Sequence, residues 1–157
     1  MLEEEGELKR YQEAELKHGR VAMLAAIGII VGEQFGQLDY GGGPITGPAI
    51  THWAQLVEKN PGAAFTPLLT IMFIEIIGIF RVWDTPESTM NRAGVAIITG
   101  TPGDLGWNSG IAESNPKRFV DLRTRELNNG RLAMLAVAGM VAQECVTGEK
   151  ILASLGM

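Results

Sequence analysis

Two short stretches of this chain carry the residue types that could hold a metal centre, in the same order. Glu15, His18 and Arg20 stand in "ELKHGR", and Glu126, Asn129 and Arg131 stand in "ELNNGR". In each, a carboxylate and a second donor are three residues apart, so both face the same side of a helix. Glutamate and arginine are five apart, a poor spacing for pairing within one helix. If two such helices face each other about a two-fold axis, Glu15 reaches Arg131 and Glu126 reaches Arg20, reciprocally. A carboxylate held by arginine is nearly neutral as a unit yet keeps an oxygen lone pair. Hard Mg²⁺ takes oxygen ligands, and imidazole is a good donor to metal centres. A bare ion would need several ligands converging, whereas these are spread singly along helices. The pattern suits a metal already held by a large ligand and needing one axial donor.

The likeness extends beyond the donors. Glu15–Glu33 aligned with Glu126–Glu144 matches at about ten of nineteen positions, an internal repeat of two copies. Each motif runs directly into an apolar segment, Val21–Gly32 and Leu132–Ala142. A third apolar segment, Ala63–Val82, has Glu75 as its one charge before Arg81. Only this middle segment approaches the ~20 residues that cross a bilayer as a helix. The outer two reach that length by drawing in the charged stretches before them, which contain no proline from about residue 8 to 35 and from about 119 to 146. Such helices of ~27 residues would be ~40 Å long. The expectation is an all-α protein of three membrane-spanning helices, at about 8–35, 63–83 and 119–146, forming one domain over 1–157. Helices one and three run parallel and are crossed about a pseudo-two-fold axis, and helix two returns the chain between them. Gly19, Ala22, Ala26, Gly130, Ala133 and Gly139 are small enough to let the crossed pair approach closely. Charges in the membrane are normally paired and inward-facing, which gives the two reciprocal ion pairs their purpose.

Composition limits the alternatives. The chain of 157 residues has a net charge of −5, which argues against a nucleic-acid partner. Its one cysteine, Cys145, excludes an intrachain disulfide framework and reads as a small buried apolar residue. The opening "MLEEEGELKRYQEAELK" is charged and lacks the apolar core of a signal peptide, so it reads as the start of a helix. Lys9, Arg10, Lys17 and Arg20, and the basic residues from Arg81 to Arg131, fall on one side of the predicted topology. The other side receives only Lys59 and Lys150. By the positive-inside rule, the N-terminus and the long second loop lie together. Gly41–Gly43 lacks the lysine and setting of a phosphate loop, and neither a Ser-His-Asp set nor an HExxH motif appears. An enzyme thus lacks a recognisable site, and an unrelated small membrane transporter is the remaining alternative of another class, with no evident broken helix at mid-membrane to support it. "PAITHWAQLVEKN" reads as a short surface helix ending before Pro61. His52 beside Trp53 reads as surface packing, and Glu33 and Glu144 as structural residues at helix ends.

With "ELKHGRVAML" and "ELNNGRLAML" flanking a third helix, the chain resembles the light-harvesting chlorophyll-binding superfamily over nearly its whole length. The short loops and "ELKHGR" look most like the chlorophyll a/c antennas of red-lineage plastids, of fucoxanthin or peridinin type. The resemblance implies chlorophyll a with chlorophyll c, and xanthophyll carotenoids in the grooves beside the crossed helices. It implies axial magnesium ligands at Glu15, His18, Glu126, Asn129 and Gln143, with Arg20 and Arg131 as ion-pair partners. Gly32 stands where the first copy would carry a counterpart of Gln143. Glu75 fits a middle-helix ligand, the alternative being an inward-facing structural carboxylate. "PGDLGW" (102–107) resembles the family's Gly-Asp loop before the third helix and departs from it after Gly106. The implied role is an antenna in the plastid thylakoid membrane, N-terminus stromal, serving a photosystem I or II core beside other antenna subunits in membrane lipid. A photoprotective, energy-dissipating member is the alternative.

Overall fold

A computed structural model describes residues 2–34, 43–82, 102–103, 114–154 and 156. The regular structure among them is helical: α1 (Leu2–Gln34), α2 (Ala49–Lys59), α3 (Pro61–Val82), α4 (Pro116–Thr147) and α5 (Ile151–Ser154). The described chain divides into two compact units, residues 1–20 with 71–130, and residues 21–70 with 131–157.

The repeat produces the two longest helices, α1 of 33 residues and α4 of 32 residues. Each is ~50 Å long at 1.5 Å per residue. α1 begins at Leu2, earlier than the expected start near residue 8. Its first turns are rich in glutamate, which has good helix propensity and suits the positive end of the helix dipole. α4 begins at Pro116, also earlier than expected, because Asn115 caps it. The Asn115 side chain accepts from the Arg118 N–H at 3.2 Å, and proline fits the first helical position. Gly148 ends α4 with φ +68 and donates its N–H to Glu144 O at 2.8 Å, a left-handed cap.

Asn60 joins α2 to α3 with no intervening loop. Its N–H closes α2 on Leu56 O at 2.8 Å, and its side-chain oxygen accepts from the Ala63 N–H at 3.1 Å, with Pro61 opening α3. Among the described helices, α3 alone is apolar enough over sufficient length (Pro61–Phe80) to cross a membrane on those criteria. The charges in the first halves of α1 and α4 keep those two below the same threshold.

Large apolar side chains lie outside rather than within. Val21 and its repeat counterpart Leu132 are 66% and 67% exposed, and Leu24 and its counterpart Leu135 are 73% and 75% exposed. Matched exposure at matched positions means both copies present the same apolar face outward. Cys145, expected inside, is exposed. It follows Glu144, whose carboxylate takes the inward face at that turn.

Candidate functional site

Glycine brings the two motifs together in the first unit. A Cβ built on Gly19 would lie 3.0 Å from Gly130 Cα, and one built on Gly130 would lie 2.9 Å from Gly19 Cα. These repeat-equivalent glycines form a backbone-to-backbone contact that any side chain would open. One residue beyond Gly19, Arg20 Nε donates to Glu126 Oε1 at 2.6 Å, with both side chains about one-third exposed. The guanidinium takes one carboxylate oxygen of Glu126 and leaves the other. Arg131, the counterpart of Arg20, is exposed on α4. At Gly139 an added Cβ would meet nothing within 4 Å, so this glycine serves no close approach among the described residues.

His18 is exposed, and its Nδ1 lies 2.6 Å from Ala14 O. A carbonyl oxygen only accepts, so in the neutral imidazole Nδ1 carries the proton and Nε2 has the lone pair. This is how a backbone carbonyl sets the tautomer of a ligating histidine. Asn129, the counterpart of His18, is exposed, and Gln143 is half-buried farther along α4. Glu15 is half-buried and lines a cavity of about 260 Å³ with Gln12, Leu16, Arg123, Thr124 and Leu127. Glu75 of α3 pairs with Lys17 of α1, Nζ to Oε2 at 2.6 Å. That ion pair neutralises Glu75 and leaves Oε1. No group of three or more His, Cys, Asp or Glu side chains converges as a bare-metal site among the described residues. The donors stand one at a time, each beside exposed apolar surface. That arrangement suits single axial bonds to a flat, apolar magnesium-bearing ring.

A clamp in the first unit went unread in the sequence. Glu13 is buried and accepts from the Gly103 N–H, while Arg123 Nη2 donates to Pro102 O at 2.9 Å. Gly103 has φ +77, and a Cβ there would meet Leu16 Cδ1 at 2.8 Å. The two residues that open "PGDLGW" are thus held by α1 on one side and α4 on the other. The rest of that motif, Asp104–Trp107, lies outside the described residues. Spacing could have flagged Glu13, which stands three before Leu16 and seven before Arg20 on one helix face.

The sequence profile of the family described as chlorophyll A-B binding protein matches residues 1–145. The chain belongs to the chlorophyll a-b binding protein family. Members of this family are light-harvesting, pigment-binding proteins of the plastid and not enzymes. The chain is 41% identical over 157 residues to light-harvesting complex stress-related protein 1, chloroplastic, of Chlamydomonas reinhardtii, covering 92% of this chain and 57% of that protein. It is 38% identical over 148 residues to the fucoxanthin-chlorophyll a-c binding protein of Isochrysis galbana, covering 91% of this chain and 67% of that protein. It is 33% identical to chlorophyll a-b binding protein 7 of Solanum lycopersicum, covering 90% of this chain and 54% of that protein. The chain therefore spans a little over half the length of most of these relatives. In this chlorophyll-binding family, the likeness to fucoxanthin-chlorophyll proteins read from "ELKHGR" sits beside a likeness of 41% identity to a stress-related protein.

Proposed function

We propose that this chain is an antenna subunit that holds chlorophylls and carotenoids and passes excitation to a photosystem. The observation that carries the reading is the Gly19–Gly130 contact with the Arg20–Glu126 pair beside it. It sets two donor-bearing helices at van der Waals distance in a defined register. In this reading α1, α3 and α4 cross the thylakoid membrane, the N-terminus is stromal, and α1 and α4 cross about a pseudo-two-fold axis. Glu15 and Arg131 form the second ion pair that the repeat calls for. His18 Nε2, the second oxygen of Glu126, and the side chains of Glu15, Asn129, Gln143 and Glu75 would hold the chlorophyll magnesium atoms. Chlorophyll, when bound, supplies light absorption and excitation transfer. The protein supplies fixed spacing, orientation and a dry apolar surround. The pigments are chlorophyll a with chlorophyll c and fucoxanthin- or peridinin-type xanthophylls. The partners are a photosystem I or II core, neighbouring antenna subunits and lipid.

The test is pigment analysis of the purified complex. Chlorophyll a and c with a xanthophyll, and carotenoid-excited chlorophyll fluorescence, are expected. A colourless, folded protein that takes up no pigment overturns the reading.

The 41% identity to a stress-related protein supports a second reading, a subunit that dissipates excitation. Fluorescence lifetime separates the two. An antenna keeps a long chlorophyll lifetime when the pH is lowered, and a dissipating subunit shortens it.

A further inference from the structure

The short helices α2 and α5 are anchored by the same device. Glu144 accepts the first two N–H groups of α2, from Ala49 at 3.2 Å and Ile50 at 2.8 Å. Glu33 accepts the first two of α5, from Ile151 at 2.8 Å and Leu152 at 3.3 Å. Glu33 and Glu144 are buried and are related by the same offset as Glu15 and Glu126. α2 and α5 are therefore counterparts, with Ala49 corresponding to Ile151 and His52 to Ser154.

This correspondence exposes an exchange. Beside Glu144 stands Gln143, while beside Glu33 stands Gly32. In the second copy the donor is on the long helix, and the short helix has serine. In the first copy the long helix has glycine, and the short helix has histidine. A Cβ built on Gly32 would lie 3.6 Å from His52 Nδ1 and 3.9 Å from its Cε1, and would meet nothing else within 4 Å. The space that a side chain at position 32 would fill is bordered by one imidazole edge.

The chemistry of that edge is set by its other nitrogen. His52 Nε2 lies 2.9 Å from Gly47 O, an acceptor, so in the neutral imidazole Nε2 carries the proton and Nδ1 has the lone pair. Nδ1 has no hydrogen-bond partner among the described residues, and it is not sealed from its surroundings. A histidine that served only to pack would not need a nitrogen left bare against a glycine. Among the described residues, no group of three or more His, Cys, Asp or Glu side chains gathers there to make a site for a free ion.

We propose that His52 Nδ1 would hold the magnesium of a chlorophyll at the first-copy counterpart of the Gln143 site, the donor having moved from α1 to α2. The proposal rests on the pigment-scaffold reading above and reverses the packing role expected of His52 from sequence.

The test compares the pigment-loaded parent complex with His52→Ala and Gly32→Leu. The second variant keeps the imidazole and its bond to Gly47 and fills the gap before Nδ1. Chlorophyll per polypeptide is measured by extraction, together with the absorption difference spectrum. Each variant is expected to lose one chlorophyll, with the same difference band. A full chlorophyll complement in either assembled variant overturns the proposal while leaving the scaffold reading intact. A parent that binds no chlorophyll overturns the scaffold reading itself. If His52→Ala fails to assemble, Gly32→Leu decides alone.

Discussion

Gly19 and Gly130 touch through their backbones, each standing where a Cβ on the other would collide with Cα, at 3.0 Å and 2.9 Å. Because the obstructing atoms are main chain, they cannot rotate away. Gly19→Ala and Gly130→Ala are each expected to destabilise the complex by about 1–3 kcal/mol through overpacking. Gly28→Ala is the control. A Cβ there meets nothing within 4 Å, and alanine gains up to about 1 kcal/mol of helix propensity. Thermal loss of the pigment circular-dichroism signal checks all three, with a lower midpoint for the first two and an unchanged or raised one for the third.

Arg20 and Glu126 are each about one-third exposed, so their ion pair falls between a surface and a buried one. Arg20→Leu is expected to cost about 1–3 kcal/mol by stranding the carboxylate. The exchange Arg20→Glu with Glu126→Arg keeps the pair and removes the oxygen from position 126. That double variant is expected to recover most of the stability and still lack one chlorophyll. Melting curves and pigment extraction on the same samples separate the two roles.

The His18 Nδ1 is held by Ala14 O, which leaves Nε2 as the nitrogen that the proposed pigment site would use. His18→Leu removes the donor at similar volume and is expected to lose one chlorophyll per chain, with little change in helix content. His18→Asn installs the residue of the second copy and is expected to retain the pigment with a shifted absorption band. Pigment stoichiometry with low-temperature absorption reads both.

Glu144 and Glu33 each accept two N–H groups from a short helix. Losing such a cap costs about 0.5–2 kcal/mol, expressed locally. Glu144→Ala is expected to speed amide exchange at Ala49 and Ile50 and leave Ile151 and Leu152 unchanged. Glu33→Ala should do the reverse. Hydrogen exchange followed by mass spectrometry on peptides spanning each helix start checks this.

Local pattern carried the long elements. The repeat marked α1 and α4, apolar length marked α3, and Pro61 marked the end of α2. Contacts between residues far apart in sequence were less visible. Glu33 and Glu144 read as structural helix ends, but no local signal says which amides a buried carboxylate will collect. The partner of Glu75 is Lys17, 58 residues away, and lysine's long side chain can reach many acids. Gly139 looked like a packing glycine because its spacing suits one, yet its Cβ position is open. Glu13 was passed over because an acid near a helix start is usually solvated, whereas here it is buried against Gly103. The neighbour of His52 is hidden for a related reason, since only folded geometry sets it beside Gly32.

Asn60 is at once the last word of one helix and the first of the next, with its N–H spent on α2 and its backbone and side-chain carbonyl oxygens on α3. An elbow of a single residue has no slack. A change in the direction of either helix at that joint is therefore passed to the other, and α2 carries His52 with it.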